Sequence, residues 1–135
     1  MRFRHVRVRY TAVLQLPQAF GDPWTLRSLP PVARPEWRPP FDLYEDDQEW
    51  VVRVEVGGLQ EEDFEILLYE DRLIIQGYRP WSSACAEARF HMAEIRQGRF
   101  QVEIPLLGSI RRENVTARYE QGMLSVVLPK VREER

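Results

Sequence analysis

From Phe41 onward the chain alternates apolar and polar residues in short runs broken by turn residues, and this alternation constrains its fold more than any other feature. Trp50, Val52, Val54 and Val56 share one face of an extended segment, with Val51, Arg53 and Glu55 opposite, because successive side chains of a strand point to opposite sides. Gly57-Gly58 ends that segment. Phe64, Ile66 and Leu68 make a second inward row, and Leu73 and Ile75 a third, closed by Gly77. Phe100, Val102, Ile104 and Leu106 make the next, with Arg99, Gln101 and Glu103 outward. Val115, Ala117 and Tyr119 follow, then a Gln121-Gly122 turn, then Leu124, Val126 and Leu128. Segments this short, recurring every ~8–12 residues between turn signals, predict an all-β, immunoglobulin-like antiparallel β-sandwich. No stretch sustains helical periodicity over three turns.

The flanks read differently. Residues 1–40 hold Pro17, Pro23, Pro30, Pro31, Pro35, Pro39 and Pro40 together with Phe3, Tyr10, Phe20, Trp24 and Trp37. Prolines at this density forbid a long helix or a central strand, so the segment is expected to be a flexible, apolar N-terminal arm. The rhythm also breaks at residues 78–93, where Arg79-Pro80-Trp81-Ser82-Ser83-Ala84-Cys85-Ala86-Glu87 reads as a loop followed by a weak strand, Ala88–Glu94. The expected organisation is an arm over 1–40, a sandwich over 41–130 and a charged stub over 131–135.

Composition matters mainly for what it excludes. The net charge of −2 is unevenly spread, for the arm carries seven arginines (2, 4, 7, 9, 27, 34 and 38) against Asp22 and Glu36. They alternate with apolar residues rather than forming a block, so no nucleic-acid contact is expected. No apolar run approaches the ~20 residues of a membrane helix, and no membrane contact is expected. One cysteine, Cys85, precludes an internal disulfide framework and suits a reducing cytoplasm. No catalysis is expected: an enzyme would have to draw on Cys85, His91, His5 and the carboxylates, and the Cys85–His91 pair lacks an orienting third group. Glu45-Asp46-Asp47 and Glu61-Glu62-Asp63 lack calcium-loop spacing and read as solvated strand ends. No glycine-rich phosphate loop is present, so neither metal nor nucleotide cofactor is expected.

A series of short motifs then carries a resemblance. Ala117-Arg118-Tyr119-Glu120-Gln121-Gly122-Met123-Leu124-Ser125-Val126-Val127-Leu128-Pro129-Lys130 resembles A-x-x-x-N-G-x-L-x-[IV]-x-x-P-K. Phe41-Asp42-Leu43-Tyr44-Glu45, Val54-Glu55-Val56-Gly57-Gly58-Leu59, Leu73-Ile74-Ile75-Gln76-Gly77-Tyr78-Arg79 and Gly98-Arg99-Phe100 precede it in the right order. By these residues the chain is identified as a member of the small heat-shock protein family, built on the Hsp20 or α-crystallin domain. The resemblance implies an ATP-independent holdase that binds partly unfolded client proteins through apolar surface. The competing reading is a co-chaperone-like interaction module on the same sandwich.

Residue by residue, the resemblance makes 78–93 a dimerisation loop. Arg89, Phe90, His91, Met92 and Glu94 would form a strand exchanged with a second copy in a homodimer. A groove lined by Ile66, Leu68, Val115 and Ala117 would lie between the strands Phe64–Tyr69 and Val115–Tyr119. Phe3, Tyr10, Phe20, Trp24 and Trp37 would offer apolar contact to clients. There are departures. Gly57 replaces a proline, which should loosen its turn, and Gln121 replaces an asparagine. Val102 and Ile95 stand where the family carries arginines. After Lys130 there is only Val131-Arg132-Glu133-Glu134-Arg135 and no [IV]-x-[IV] docking motif. Small higher oligomers, or hetero-oligomers with a longer paralogue, are therefore expected in place of large cages, with Val6-Arg7-Val8 or Leu14-Gln15-Leu16 from the arm as candidates to fill the groove.

Overall fold

The computed structural model describes residues 35–81 and 87–132 in full and residues 4–5 and 8–10 by their backbone. Nine strands lie among them: β1 (Arg4–His5), β2 (Val8–Tyr10), β3 (Phe41–Glu45), β4 (Glu49–Glu55), β5 (Phe64–Leu68), β6 (Arg72–Arg79), β7 (Gly98–Pro105), β8 (Thr116–Glu120) and β9 (Met123–Pro129). They form two sheets, a five-stranded one in the order β1-β8-β9-β4-β3 and a four-stranded one in the order β2-β5-β6-β7. Every pairing is antiparallel except that of β2 with β5. The alternation in the sequence is thus the alternation of a sandwich, whose inner faces interdigitate while the outer faces stay polar. No described helix is long and apolar enough to cross a membrane.

The core is what the periodicity anticipated. Val52 and Val54 of β4 with Val56 just beyond it, Ile66 and Leu68 of β5, Leu73 and Ile75 of β6, Val102 and Ile104 of β7, and Leu124, Val126 and Leu128 of β9 are all almost fully buried and in one cluster. Across the four-stranded sheet Phe64, Gly77 and Phe100 lie side by side in register. The missing side chain at Gly77 lets the two rings approach edge to face, with centroids 6.1 Å apart. Glycine inside a strand is otherwise unfavourable, so its place here reflects space rather than backbone freedom.

Two turns depend on backbone that only certain residues adopt easily. Gln121 and Gly122 both have positive φ, 49° and 77°, as a two-residue hairpin between β8 and β9 demands. The glutamine therefore occupies a left-handed conformation that asparagine would hold with less strain. The β3–β4 turn is closed by Asp46, whose Oδ1 accepts from the Gln48 and Glu49 amides at 2.7 and 2.8 Å. Those two bonds hold its carboxyl below the usual aspartate range. A depressed folded value means that Asp46 stabilises the fold above the unfolded pKa of about 4 and ceases to as pH falls through the lower, folded value. Asp46→Ala should therefore melt below the wild type at pH 7, with the gap closing under acid conditions. A gap in melting temperature independent of pH would contradict this role for the charge.

Candidate functional site

The four-stranded sheet ends at β7, and that edge is covered by the chain entering the domain. The Glu36 and Trp37 amides donate to the Arg99 carbonyl at 2.8 and 3.2 Å. The Glu36 carboxylate accepts from the Arg99 amide at 3.0 Å, and Trp37 Nε1 donates to the Gly98 carbonyl at 3.1 Å. The Trp37 ring packs on Phe100 with centroids 5.4 Å apart, and the Arg79 guanidinium lies 4.3 Å above it. Trp37, expected among the aromatics that a flexible arm presents, is instead held half-buried against the sheet. An indole with its own acceptor and a cation over its face has more to gain at an unpaired edge than in water.

Arg79 does more than cover Trp37. Its Nε donates to the Arg96 carbonyl at 2.7 Å, Nη2 donates to the same oxygen, and Nη1 reaches the Gly57 carbonyl at 3.3 Å. One guanidinium therefore ties the two ends of the segment joining β6 to β7 to each other and to the turn after β4. That turn is held from a second side, where Tyr119 Oη donates to the Val56 carbonyl at 2.7 Å and accepts from the Leu59 amide at 3.4 Å. The loosening expected from Gly57 is thus offset by tertiary hydrogen bonds that no local pattern encodes. Tyr119→Phe should cost about 1–2 kcal/mol, the loss of the bonds plus a poorly satisfied carbonyl. Chemical denaturation would read it, and an unchanged midpoint would remove the hydroxyl from this account.

The segment between β6 and β7 stands in solvent. Arg89, Phe90, His91, Met92 and Glu94 are all exposed, Phe90 by 56% and Met92 by 85%. Trp81 and Ile95 nearby are 56% and 73% exposed. The strand expected over Ala88–Glu94 is absent in the single chain, where residues 88–94 carry no ladder. A strand exists only through a neighbour's hydrogen bonds, and here no second edge lies alongside. Across the molecule β3 is the outermost strand of the five-stranded sheet, paired with β4 alone. Such an unpaired edge is a template for another chain.

The groove residues are buried among the core, Ile66 at 0%, Leu68 at 1%, Val115 at 6% and Ala117 at 2% exposure. Its two walls, β5 and β8, are each extended by backbone from the arm. β1 pairs with β8 (Arg4 opposite Tyr119, His5 opposite Arg118), and β2 runs parallel to β5 (Val8 opposite Ile66, Tyr10 opposite Leu68). Of the two docking candidates, Val8 opens β2, while Val6, Arg7 and Leu14-Gln15-Leu16 lie outside the described residues. Phe3, Phe20, Trp24 and Cys85 lie outside them too, and Tyr10 is described by its backbone only. The acidic runs do structural work: besides Asp46, Glu45 pairs with Lys130 at 2.5 Å, and Asp63 Oδ2 accepts from the Gln60 amide at 2.7 Å.

Sequence reasoning missed the outward residues of the four-stranded sheet. Leu67 and Ile74 oppose each other across β5 and β6 on its outer face, yet are only 8% and 1% exposed. The signal was present in Ile66-Leu67-Leu68 and Leu73-Ile74-Ile75, continuous apolar runs that mark a strand buried on both faces.

Comparison with known proteins follows the same outline. Residues 42–135 match the family model described as the Hsp20/alpha crystallin family. Small heat shock protein C4 of Rickettsia felis is 29% identical over 68% of this chain and 56% of its own length. The probable 15 kDa heat shock protein of Leptospira interrogans is 29% identical over 68% of this chain and 69% of its own. Small heat shock protein C2 of Rickettsia felis is 32% identical, over 60% of its length. The chain thus spans less than two thirds of both Rickettsia relatives. Among solved structures, a small heat-shock protein from Xylella fastidiosa superposes with a TM-score of 0.67 at 27% identity, over 74% of this chain and 92% of that one. Heat shock protein 16.0 from Schizosaccharomyces pombe gives 0.66 at 27% identity, over 74% and 93%.

Proposed function

The chain belongs to the Hsp20/alpha crystallin family of small heat shock proteins, generally chaperones, and from that premise we propose that it is an ATP-independent holdase. It would bind partly unfolded proteins through apolar surface and keep them from aggregating, as a homodimer formed by strand exchange or as small assemblies of such dimers. The observation that carries the reading is the set of large apolar side chains held in solvent between β6 and β7: Trp81, Phe90, Met92 and Ile95, each more than half exposed. A sandwich whose core is already closed gains nothing from them in isolation. At about 25 cal/mol per Å² removed from water, they are surface for another chain.

Two kinds of partner are expected, a second copy at that surface and clients at the arm. The segment 89–94, extended beside the free edge of β3 on a second copy, would complete the five-stranded sheet with main-chain hydrogen bonds. Phe3, Tyr10, Phe20 and Trp24 of the arm would meet clients, whose own exposed apolar surface drives association without nucleotide. The lone cysteine fits a reducing cytoplasm as the place of work.

The test is light scattering of an unrelated heat-labile enzyme warmed with and without the protein, no ATP present. Suppression at near-stoichiometric ratios is the expected result. A monomeric native mass together with no suppression would favour the co-chaperone-like module on the same fold.

A further inference from the structure

The outer face of the four-stranded sheet is built to be covered. Leu67 and Ile74 are apolar and buried there although they lie outside the core cluster. Beside them Arg72, another outward residue, is 3% exposed and pairs with Glu103 at 2.7 Å, a charge that an open sheet face would leave in water. A second row, Glu65, Gln76 and Gln101, crosses the three strands. Gln76 donates to Glu65 at 2.9 Å and Gln101 donates to Gln76 at 3.1 Å, with Gln101 itself 5% exposed. Besides its strand neighbours, the short turn 61–63 is the one described element that packs substantially on β6, and it sits at the Gly77 end.

The connectivity supplies the occupant. β2 ends at Tyr10 on the β5 edge of this sheet, and the chain returns at Glu36 and Trp37 on the β7 edge, opposite Arg99 and Phe100. The stretch between must pass from one side of the sheet to the other, and the inner face is filled by the core. From β2 across β5, β6 and β7 to residues 36–37 is four strand spacings, ~19 Å, which a handful of residues at ~3.3 Å each would span. The stretch contains Leu14, Leu16, Phe20, Trp24, Leu26 and Leu29 to meet Leu67 and Ile74. Pro17, Pro23, Pro30 and Pro31 have no amide hydrogen to join a ladder, so it is suited to lie across a face rather than add a strand. The segments 82–86 and 133–135 do not compete, for the first joins the exposed Trp81 to the exposed Glu87 and the second follows the other sheet. We infer that residues 11–34 dock in cis on the outer face formed by Leu67, Arg72, Ile74, Gln101 and Glu103.

Docked in this way, Phe20 and Trp24 would reach clients only when the arm lifts from the sheet, and the docking itself is read without a client. In a Cys85→Ser background, Ile74→Cys makes the sole thiol a probe of the face, and Leu107→Cys, at a 63% exposed position outside the proposed dimer segment, serves as the open reference. The full chain should label at position 74 about 100-fold more slowly than at position 107, equally at all protein concentrations. Rapid labelling at every concentration would show an open face, and protection lost on dilution would assign the cover to a second copy; either overturns the inference. Should Ile74→Cys not fold, Leu67→Cys probes the same surface. A photo-crosslinking residue at position 67, in a mixture of isotopically light and heavy protein, should join to residues 11–34 of the same chain. Adducts elsewhere, or between light and heavy chains, would contradict it.

Discussion

Gly77→Ala is expected to lower the stability of the domain by about 3 kcal/mol, at the upper end of what overpacking a core produces. A Cβ at this position would collide with the Asp63 carbonyl oxygen and sit 2.6 Å from Cζ of Phe100. Neither neighbour gives way cheaply. The carbonyl belongs to the turn that leads into β5, where the Asp63 amide bonds to Gln60 at 3.0 Å. Phe100 is 2% exposed and held between Phe64 and Trp37. Chemical denaturation of the variant would measure the loss. Combining it with Phe100→Leu separates the two clashes, because the shorter side chain vacates Cζ and leaves the carbonyl. The double variant should recover about 1 kcal/mol relative to additivity. A Gly77→Ala protein as stable as the wild type would mean that the strand shifts freely here, against the register across β5, β6 and β7.

The second large effect concerns assembly. Phe90→Asp with Met92→Asp should turn the proposed dimer into a monomer at micromolar concentration. Each side chain enters a two-fold interface twice, so its loss together with an unpaired charge is worth about 3 kcal/mol or more, over 100-fold in Kd. Because both residues are exposed in the single chain, at 56% and 85%, the variant should still unfold cooperatively, with a melting temperature that no longer depends on protein concentration. Sedimentation velocity reads the mass and calorimetry the stability. An unchanged mass would place the interface elsewhere, and loss of the cooperative transition would mean that these side chains support the sandwich itself.

The two predictions draw on parts of the chain that differ in how legible they were. The alternation places Gly77 at the end of a strand, whereas β6 continues through it to Arg79. The missing side chain is explained by Phe64 and Phe100, each several residues or more away in sequence and adjacent only in register. The exposed character of 89–94 needed the structure as well, since a run of arginine, phenylalanine, histidine and methionine is compatible with a strand and becomes one only beside a free edge.

What the sequence determined by itself was the sandwich: which segments are strands, which side chains face inward, where hairpins turn, and the family to which the ordered motifs point. These follow from a period of two and from turn residues, both local properties written within a few positions. Tertiary structure alone decided the rest. It paired two- and three-residue strands from the arm with β8 and β5, set Trp37 under Arg79 on the β7 edge, tied the Gly57 turn to Tyr119, and buried Leu67 and Ile74 on a face that alternation marks as outward. Each depends on an edge, a carbonyl or a ring brought close by distant parts of the chain, and a pattern with a period of two residues holds no record of what will lie beside it.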